Sequence, residues 1–410
     1  MGETAGHVVI LGAGHAGGTA AALLRQYGYT GHITLIGEEP IPPYQRPPLS
    51  KAWLKGEANA DDLTLKPVEF YAESKIDFRP NLKGVQIDRK DKRVTLSDGS
   101  VILYDTLILA TGARPIALPL PGADLEGVLF LRTAADAEAL KAQVGPGKRL
   151  AVVGGGYIGL EVAASGRALG AEVVVLEREN RLLARVACEA LSEFFKGYHE
   201  SKGVQFELGC SVTGFVGENG HITGVLLESG RIVPCDAAVV GVGVRPNDEI
   251  AREAGLSVGR GVLVDLDART SDPDIYAIGD VTERPMPHYG DRMFRPESVP
   301  SALEQAKQAA AAICARPRPA PEVPWNWSDQ YDLKLQIAGL PFDADDLLIR
   351  GDPATGKFAV FHLKGDVVQS VESINSPPEF MMGKQLIASK KPVSREKLAD
   401  PTISMKEVAA

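Results

Sequence analysis

Residues 150–163 read LAVVGGGYIGLEVA, and this stretch decides the fold. An apolar run meets three consecutive glycines, and a segment with alanines and a glutamate follows. A strand that turns tightly into a helix around glycines is typical of phosphate binding, because the helix N-terminus offers free N–H groups and a positive dipole end. Residues 8–21, VVILGAGHAGGTAA, carry the same pattern near the start of the chain. The sequence therefore predicts two phosphate-binding turns.

The composition indicates a globular protein with two or three domains. The chain has 410 residues, of which 44% are hydrophobic and 24% charged, and its formal net charge is −9. That length exceeds one ordinary core, and the acidic balance argues against general nucleic-acid binding. No run approaches the roughly 20 apolar residues of a membrane span, and the first residues lack the basic start of a signal peptide. We expect a cytoplasmic protein without membrane contact.

The first turn, GAGHAG at residues 12–17, follows the strand HVVIL and opens an alanine-rich helix. Gly12 makes the turn, Gly14 lets the backbone approach a pyrophosphate, and Gly17 lets the helix pack against the strand. The next strand, HITLIGEE, ends near Glu38, whose carboxylate can accept the hydroxyls of an adenosine ribose. A glycine turn made only for packing is the alternative, but strand, helix and acid together favour dinucleotide binding.

The second turn, GGGYIG, has the same neighbours. The strand RLAVV precedes Gly154, Gly156 and Gly159, the helix LEVAASGRALG follows them, and the strand EVVVLE ends at Glu177. The distance from Gly154 to Glu177 is close to that expected of this motif. The chain therefore holds two different dinucleotides, each in its own βαβ unit.

Glu177 also bears on which nicotinamide cofactor binds. A carboxylate in this position accepts ribose hydroxyls and repels a 2′-phosphate, so NADH is favoured over NADPH. Arg178 and Arg181 follow closely and are the feature that would favour the phosphate. Glu161 is expected in the first turn of the helix. A carboxylate there either suits the positive dipole end or holds the nicotinamide amide.

Three further segments are candidates for cofactor contacts. The proline-dense loop PIPPYQRPPLSKAWL carries Lys51, for which a solvated surface cation is the simpler interpretation. The short strand IYAIG leads to Asp280, which could bind a sugar-alcohol hydroxyl of a flavin. The stretch ESVPSALEQAKQAAAAI is predicted as a helix capped by Ser301 and Glu304, with Pro300 in its first turn. Its N-terminus could stabilise a reduced flavin.

The last third of the chain returns to the first domain and then forms a small third one. VVGVGVRPND, which contains Gly243, repeats the pattern of ILATGARP, and both segments indicate crossings between domains. The proline-rich linker RPRPAPEVP precedes four runs that predict an antiparallel sheet: LKLQIAGL, DLLIRG, KFAVFHLKG and VVQSVESIN. A helix, EFMMGKQLIAS, follows. Trp325 and Trp327 stand at the entrance to this segment and are interpreted as packing residues.

The cysteines give no sign of a metal site. Cys188, Cys210, Cys235 and Cys314 are widely separated and form no Cys-x-x-Cys pair. We therefore expect structural thiols and no bound metal.

The order of the motifs GAGHAG, LATGARP, GGGYIGLE, GVGVRPN and AIGD resembles the two-dinucleotide flavoprotein disulphide reductase superfamily. More narrowly, PPYQRPPLSK, FLRT, ESVPSALEQA and WSDQY are similar to the NADH-dependent ferredoxin reductases of bacterial oxygenase systems. The resemblance implies an α/β fold with two Rossmann-like dinucleotide-binding domains and a small α+β C-terminal domain. The FAD domain would comprise residues 1–112 and 245–320, the NADH domain residues 113–244, and the C-terminal domain residues 321–410.

The same resemblance implies FAD and NADH as cofactors. Arg132, from the LRT motif, would contact FAD, and Trp327 would lie near the flavin ring, which reverses its interpretation as a packing residue. The predicted catalytic residues are Lys51, as a cation near the reactive edge of the flavin, and its partner Glu161. The predicted cofactor-binding residues are Gly12, Gly14, Ala16, Gly17, Glu38, Lys51, Arg132, Asp280, Val299, Trp327, Gly154, Gly156, Gly159, Glu177 and Gly243.

The implied reaction moves a hydride from NADH to FAD and then single electrons to a 2Fe-2S ferredoxin that supplies a monooxygenase or dioxygenase. Thiol-dependent relatives use a cysteine beside the flavin, and residues 38–60 contain none. A monomer or weak homodimer is expected. An acidic ferredoxin would dock on cations, although these also suit an ordinary solvated surface: Arg292, Arg295, Lys384, Lys390 and Lys391.

Two other functions fit the same motifs. One is an NADH oxidase or a reductase of small quinones or radicals. The other is an NADH-sensing flavoprotein that signals through partner proteins. Dependence of electron transfer on a ferredoxin distinguishes the three.

Overall fold

The structure, a computed structural model, describes residues 6–409. Residues 1–5 and 410, the outer ends of the first and last predicted domains, lie outside the described residues, as does the start of the segment tested for a signal peptide. The α-helices are α1 (His15–Gln26), α2 (Ala60–Leu63), α3 (Val68–Glu73), α4 (Ala134–Lys141), α5 (Tyr157–Ala168), α6 (Glu189–Ser201), α7 (Glu249–Glu253), α8 (Val299–Ile313), α9 (Pro377–Ser389), α10 (Arg395–Ala399) and α11 (Met405–Ala409).

The strands are short, and most of the buried ones are apolar. They are β1 (His7–Leu11), β2 (His32–Ile36), β3 (Ile76–Arg79), β4 (Gly84–Asp88), β5 (Arg93–Leu96), β6 (Val101–Leu103), β7 (Thr106–Leu109), β8 (Ala113–Pro115), β9 (Val128–Leu129), β10 (Arg149–Val153), β11 (Glu172–Glu177), β12 (Val204–Leu208), β13 (Val212–Glu218), β14 (His221–Leu227), β15 (Ile232–Pro234), β16 (Ala237–Val240), β17 (Val244–Pro246), β18 (Val262–Leu263), β19 (Ile275–Ala277), β20 (Thr282–Met286), β21 (Arg292–Phe294), β22 (Trp325–Gln330), β23 (Leu333–Gly339), β24 (Asp346–Asp352), β25 (Lys357–Lys364) and β26 (Val367–Ile374).

The chain divides into two compact units, each assembled from separate segments. Unit one contains the chain up to Gln45, residues 60–114 and residues 246–326. Unit two contains residues 46–59, residues 115–245 and the chain from Trp327 onward. The loop that carries Lys51 therefore belongs to the same unit as the second glycine turn and most of the C-terminal segment. The domain boundaries drawn from the sequence stay a prediction.

Unit one is built on a parallel sheet in the order β19-β7-β1-β2-β3. The central strand β1 is buried almost throughout, which is why it reads as an uninterrupted apolar run rather than an alternating one. The helices α1 and α8 pack against each other over alanines such as Ala20, Ala306 and Ala309, which are fully buried. The stretch VTLSDGSVILY, whose Asp-Gly pair between two apolar runs predicts a hairpin, forms the antiparallel pair β5–β6.

Unit two contains a second parallel sheet, in the order β12-β11-β10-β16-β9. The helix α5 follows β10 directly, as the glycine turn predicts. The predicted C-terminal sheet also forms, with β23, β24, β25 and β26 in antiparallel pairs.

This C-terminal sheet has a fifth strand, β22, that the sequence analysis did not predict. The fully buried side chains of β22 are Ser328 and Gln330, which are 0% and 1% exposed. Because its buried residues are polar, hydrophobic alternation gives no signal for this strand. Trp327, predicted at the entrance to the C-terminal segment, lies on β22.

The helix α8 forms where it was expected, but the cap predicted for it is wrong. Ser298, not Ser301, is the N-cap, and its hydroxyl accepts a hydrogen bond from the Ser301 backbone N–H at 3.3 Å. Pro300 lies in the first turn, where its fixed φ suits the helix, so the helix begins before the proline. Glu304 pairs instead with the buried Arg284, at 3.2 Å.

His199 on α6 is buried against β22 without carrying a charge. Its ring is 0% exposed, and its Nε2 lies 2.7 Å from the Gln330 side-chain oxygen. Burial lowers the pKa of His199 from 6.5 to about 4, and the hydrogen bond to Gln330 offsets only part of this effect. His199 is therefore neutral near pH 7.

The stability of the protein should fall as the pH drops from about 6.5 towards 4 through His199. In this window the unfolded chain binds a proton that the folded chain excludes, so acid favours unfolding. The full effect is about 3 kcal/mol. The free energy of unfolding at pH 7 and pH 4.5 should differ by less in His199→Gln than in the parent protein. An equal pH dependence in the two proteins would contradict the neutral, buried state of His199.

Candidate functional site

The first glycine turn leaves the start of α1 open. Gly14 is the N-cap residue, no side chain caps the helix, and its first turn contains no acidic residue. A Cβ added at Gly14 would meet nothing within 4 Å, whereas one added at Gly12 would collide with the carbonyl of Ala110 and one at Gly17 with the carbonyl of Gly12. Gly12 also has a φ of +114°, which favours glycine. The start of α1 thus faces open space at Gly14, and an anionic phosphate fits there.

The second glycine turn repeats this geometry at the start of α5. Gly156 is the N-cap residue, without a side-chain cap, and a Cβ added to it would also meet nothing within 4 Å. Gly154 has a φ of +112°, and a Cβ on Gly159 would collide with the Gly154 carbonyl. By contrast, α4 and α8 begin with hydroxyl caps from Thr133 and Ser298. Other helices, such as α6 and α9, also lack a side-chain cap, but they carry an acid in the first turn, which α1 and α5 do not. The starts of α1 and α5 therefore suit a phosphate.

Around the first turn, unit one brings together three of the predicted flavin-binding segments. Asp280 lies in a 3-10 turn, and a Cβ added to the preceding Gly279 would lie 3.0 Å from the Cβ of Ala16 and 4.0 Å from that of Ala302. The Asp280 turn, the start of α1 and the start of α8, where Val299 is the first residue, are thus adjacent.

Gln305 holds this arrangement in place, and the sequence analysis missed it. Its side-chain oxygen accepts from the Gly279 N–H at 3.2 Å and from the Thr282 hydroxyl at 2.7 Å. Glu38 lies two residues beyond β2 with its side chain 73% exposed, 3.5 Å from Lys83. Its carboxylate is accessible to a ribose.

In unit two, Lys51 and Glu161 form the pair that the sequence analysis suggested. The Lys51 ammonium lies 2.6 Å from Glu161 Oε2, and the two side chains are 18% and 3% exposed. Glu161 lies in the second turn of α5 and not in the first, which contains no acid, so its predicted place at the positive helix end is wrong. A buried carboxylate needs a partner charge and hydrogen bonds rather than a helix dipole.

Two serines complete the surroundings of Glu161, and neither was singled out from the sequence. The Ser50 hydroxyl donates to Oε2 at 2.5 Å, and the Ser328 hydroxyl donates to Oε1 at 2.6 Å. Lys51 also donates to the Pro47 carbonyl at 3.1 Å. Each serine is next in sequence to a predicted site residue, Ser50 to Lys51 and Ser328 to Trp327. This adjacency was the one sign in the sequence that could have pointed to them.

Glu177 lies at the edge of the second glycine turn. Its Oε2 accepts from the Gly155 N–H at 2.5 Å and its Oε1 from the Glu179 N–H at 2.8 Å. A carboxylate has about four lone-pair positions, so acceptor capacity remains for ribose hydroxyls. Arg181 donates hydrogen bonds to the carbonyls of Ala184 and Ala187 at 2.9 and 2.8 Å. Its guanidinium is therefore already hydrogen-bonded within the protein. Arg178, 78% exposed, pairs with Glu179.

The remaining predicted residues of unit two lie in separate elements. Arg132 precedes α4, and its backbone N–H donates to Asp136 at 3.0 Å while its carbonyl accepts from Arg46 at 2.5 Å. Trp327 precedes Ser328 on β22. Gly243 follows β16 with a φ of +124°, and a Cβ added there would lie 3.4 Å from the guanidinium of Arg185.

The cations predicted to dock a ferredoxin differ in their exposure and in their partners within the protein. Arg295 is only 16% exposed and pairs with Glu297 at 2.6 Å. Arg292 in unit one and Lys390 and Lys391 in unit two are exposed. Lys384 lies over the ring of Phe380, 5.9 Å from its centre.

All four cysteines are free thiols, and burial raises the pKa of each one above its usual value. The pKa reaches about 12 for Cys188 and Cys235. A thiol with a raised pKa stays largely protonated at neutral pH, and a protonated thiol is a poor nucleophile.

The fold brings Cys188 close to two other buried ligand-type residues that are far from it in sequence. Atoms of Cys188, His362 and Glu372 lie within 4.8 Å of one another. Hydrogen bonds already occupy Glu372: the Cys188 backbone N–H lies 3.1 and 3.0 Å from its two oxygens, and His362 Nε2 lies 2.7 Å from Oε1. The arrangement ties the start of α6 to β25 and β26.

Within residues 6–409, no helix combines the length and apolar character that crossing a membrane requires.

Comparisons with known proteins cover nearly all of the chain. The family model for pyridine nucleotide-disulphide oxidoreductases matches residues 6–306, and that for the reductase C-terminal domain matches residues 325–409. A probable ferredoxin reductase, CtmF, from Castellaniella defragrans is 54% identical over 98% of this chain and 98% of its own. Putidaredoxin reductase CamA from Pseudomonas putida is 40% identical over 98% of this chain and 97% of its own.

Solved structures agree with these relatives. A chain in the crystal structure of the covalent putidaredoxin reductase–putidaredoxin complex superposes with a TM-score of 0.96 at 40% identity, over 98% of both chains. A ferredoxin reductase from Rhodopseudomonas palustris, which serves a CYP199A2 system, gives a TM-score of 0.94 at 41% identity, over 98% of this chain and 100% of its own.

Proposed function

Because the chain belongs to the pyridine nucleotide-disulphide oxidoreductase family, we propose that it is an FAD-containing reductase that moves electrons from NADH to a 2Fe-2S ferredoxin. The observation that carries the proposal is the pair of uncapped glycine turns, one in each unit, each with space for a pyrophosphate. Relatives that match along their whole length are named as ferredoxin, putidaredoxin and rhodocoxin reductases, which supports a small electron-transfer protein as partner. The ferredoxin in turn supplies a monooxygenase or dioxygenase.

In unit one, the first glycine turn would hold the FAD pyrophosphate at the start of α1. Glu38 would accept hydrogen bonds from the adenosine ribose, and Asp280 from the sugar-alcohol chain, on a turn that Gln305 anchors. The start of α8, at Val299, would direct its dipole at the cofactor. When bound, FAD supplies the exchange of a two-electron hydride for single electrons.

In unit two, the second glycine turn would hold the NADH pyrophosphate, and Glu177 the adenosine ribose. The carboxylate favours NADH over NADPH, and the commitment of Arg181 to backbone carbonyls removes one cation that a 2′-phosphate would need. Lys51, held by Glu161, would supply a fixed positive charge for the hydride step, in which negative charge develops on the acceptor.

Electrons would leave the flavin directly rather than through a dithiol. The raised thiol pKa values support this exit, because a redox-active cysteine functions as a thiolate. The four free thiols also suit a reducing compartment, and we propose the cytoplasm as the location.

Ferredoxin dependence tests the proposed function. Purified protein, NADH and cytochrome c are mixed with and without a 2Fe-2S ferredoxin, and cytochrome c reduction is followed by absorbance. We expect the rate to rise at least about tenfold with ferredoxin, because the reductase passes single electrons to it. A rate indifferent to ferredoxin with rapid oxygen uptake would indicate an oxidase instead. Slow flavin reduction with a long-lived charge-transfer band would indicate an NADH sensor.

Lys51→Ala should slow the reduction of bound flavin by NADH by about 10- to 100-fold and change the Kd for NADH by less than about threefold. The reason is that the fixed charge acts mainly in the transition state. Stopped-flow absorbance measures both quantities. The control is Lys55→Ala, which removes a cation from the same segment that pairs with the exposed Glu57. Thermal unfolding and flavin content verify that both variants fold. Unchanged flavin reduction with weakened ferredoxin binding would refute this role for Lys51.

A further inference from the structure

A line of hydrogen-bonded side chains continues from Glu161 on the side away from Lys51, entirely within unit two. Ser328 donates to Glu161 Oε1 at 2.6 Å, and the Gln330 side-chain N–H donates to the Ser328 oxygen at 3.0 Å. Both residues lie on β22 and are almost completely buried. Such polar burial on one face of a strand is costly unless every group is paired.

The next member of the line is His199. Its Nε2 lies 2.7 Å from the Gln330 side-chain oxygen, and because an amide oxygen can only accept, Nε2 must carry the proton. Since the ring is neutral, Nδ1 is an acceptor, and the Tyr331 hydroxyl lies 3.4 Å from it. Because the histidine is neutral, it donates at one ring nitrogen and accepts at the other, so the hydrogen bonds of the line all run in one direction.

Every donor in the line points towards Glu161. The sequence of donors runs from Tyr331 through His199, Gln330 and Ser328 to the carboxylate, so the dipoles add and the last bond is charge-assisted. With Ser50 and Lys51 on Oε2, both oxygens of Glu161 are held. The last side-chain torsion of a glutamate, χ3, has a broad distribution of angles when nothing restrains it. Bonds on only one oxygen would therefore leave the carboxylate free to rotate.

We propose that Ser328, Gln330 and His199 are positioning residues that fix the Glu161 carboxylate and, through it, the Lys51 ammonium for the hydride step. The inference rests on the proposed function, because the hydride step belongs to it. A purely structural role for the same residues would require them for stability but not for the rate of hydride transfer.

The test compares three single substitutions in the holoenzyme. Ser328→Ala removes the hydroxyl that reaches Glu161. Ser370→Ala is the matched control, since Ser370 is also a buried serine of the same sheet, 1% exposed, and its hydroxyl has no hydrogen-bond partner among residues 6–409. Ser328→Thr keeps the hydroxyl. Stopped-flow absorbance gives the rate of flavin reduction and the Kd for NADH, and crystal structures give the Lys51–Glu161 geometry.

We expect Ser328→Ala to lower the rate of flavin reduction about tenfold with an NADH Kd within about threefold of the parent. Ser370→Ala should stay within about twofold, and Ser328→Thr should recover most of the rate. In the crystal, Ser328→Ala should lengthen the 2.6 Å contact between Lys51 Nζ and Glu161 Oε2 or split it into two conformers. If Ser328→Ala does not fold, Gln330→Leu, one bond further along, carries the same expectation.

Suppose that the parent protein reduces ferredoxin and that Ser328→Ala and Ser370→Ala have equal rates of flavin reduction. This result would overturn the positioning role and leave the proposed function intact. A parent protein whose flavin NADH does not reduce would instead overturn the proposed function. In that case the crystal still tests whether Ser328 positions the Lys51–Glu161 pair, apart from any hydride step. An unchanged contact in Ser328→Ala would overturn this positioning, and a displaced contact would support it.

Discussion

A carboxylate buried inside a helix must be neutralised and hydrogen-bonded, and in this protein Glu161 imposes that requirement on unit two. Removing such a charge from water costs several kcal/mol unless partners surround it. The partners come from two distant parts of the chain: Ser50 and Lys51 from the loop of residues 46–59, and Ser328 from β22. A further bond, from Ser165 on α5 to the Ser50 carbonyl at 2.7 Å, fixes the same loop. Glu161 is thus bonded to residues from both of the other segments of unit two.

The two glycine turns have the same local geometry. In each turn the first glycine has a positive φ and the third packs against the carbonyl of the first, while the second leaves open space before an uncapped helix. Unit one adds accessible carboxylates around its turn, and unit two adds a buried, charge-compensated one. This difference agrees with the proposed roles, in which unit one holds a resident cofactor and unit two supplies a fixed charge for the hydride step.

Much of the fold could be predicted from the sequence, because glycine spacing and apolar strands are local signals. The glycine turns, the hairpin at β5–β6 and the helix α8 are of this kind. The features that were missed have two causes, one tertiary and one local. The strand β22 buries Ser328 and Gln330 instead of apolar residues, and the cap of α8 moved to Ser298 because a proline can begin a helix.

Residues of the candidate site could be predicted only where they belong to a recognisable sequence motif. Lys51 and Glu161 could be named from a family resemblance, but their 2.6 Å contact depends on how the loop folds onto α5. Ser50 and Ser328 had only their adjacency to Lys51 and Trp327 as a signal. Gln305, Gln330 and His199 carry none, because a glutamine or histidine becomes informative only once its partner is known. The same holds for Cys188, His362 and Glu372, which only the fold brings together.

The central claim is that electrons enter the protein in pairs and leave it singly. The most direct measurement is an anaerobic reaction of excess 2Fe-2S ferredoxin with limiting NADH and a catalytic amount of the protein, followed by the absorbance of both reactants. The account predicts two reduced ferredoxins for each NADH consumed, since a hydride carries two electrons. NADH consumption that leaves the ferredoxin oxidised would contradict it.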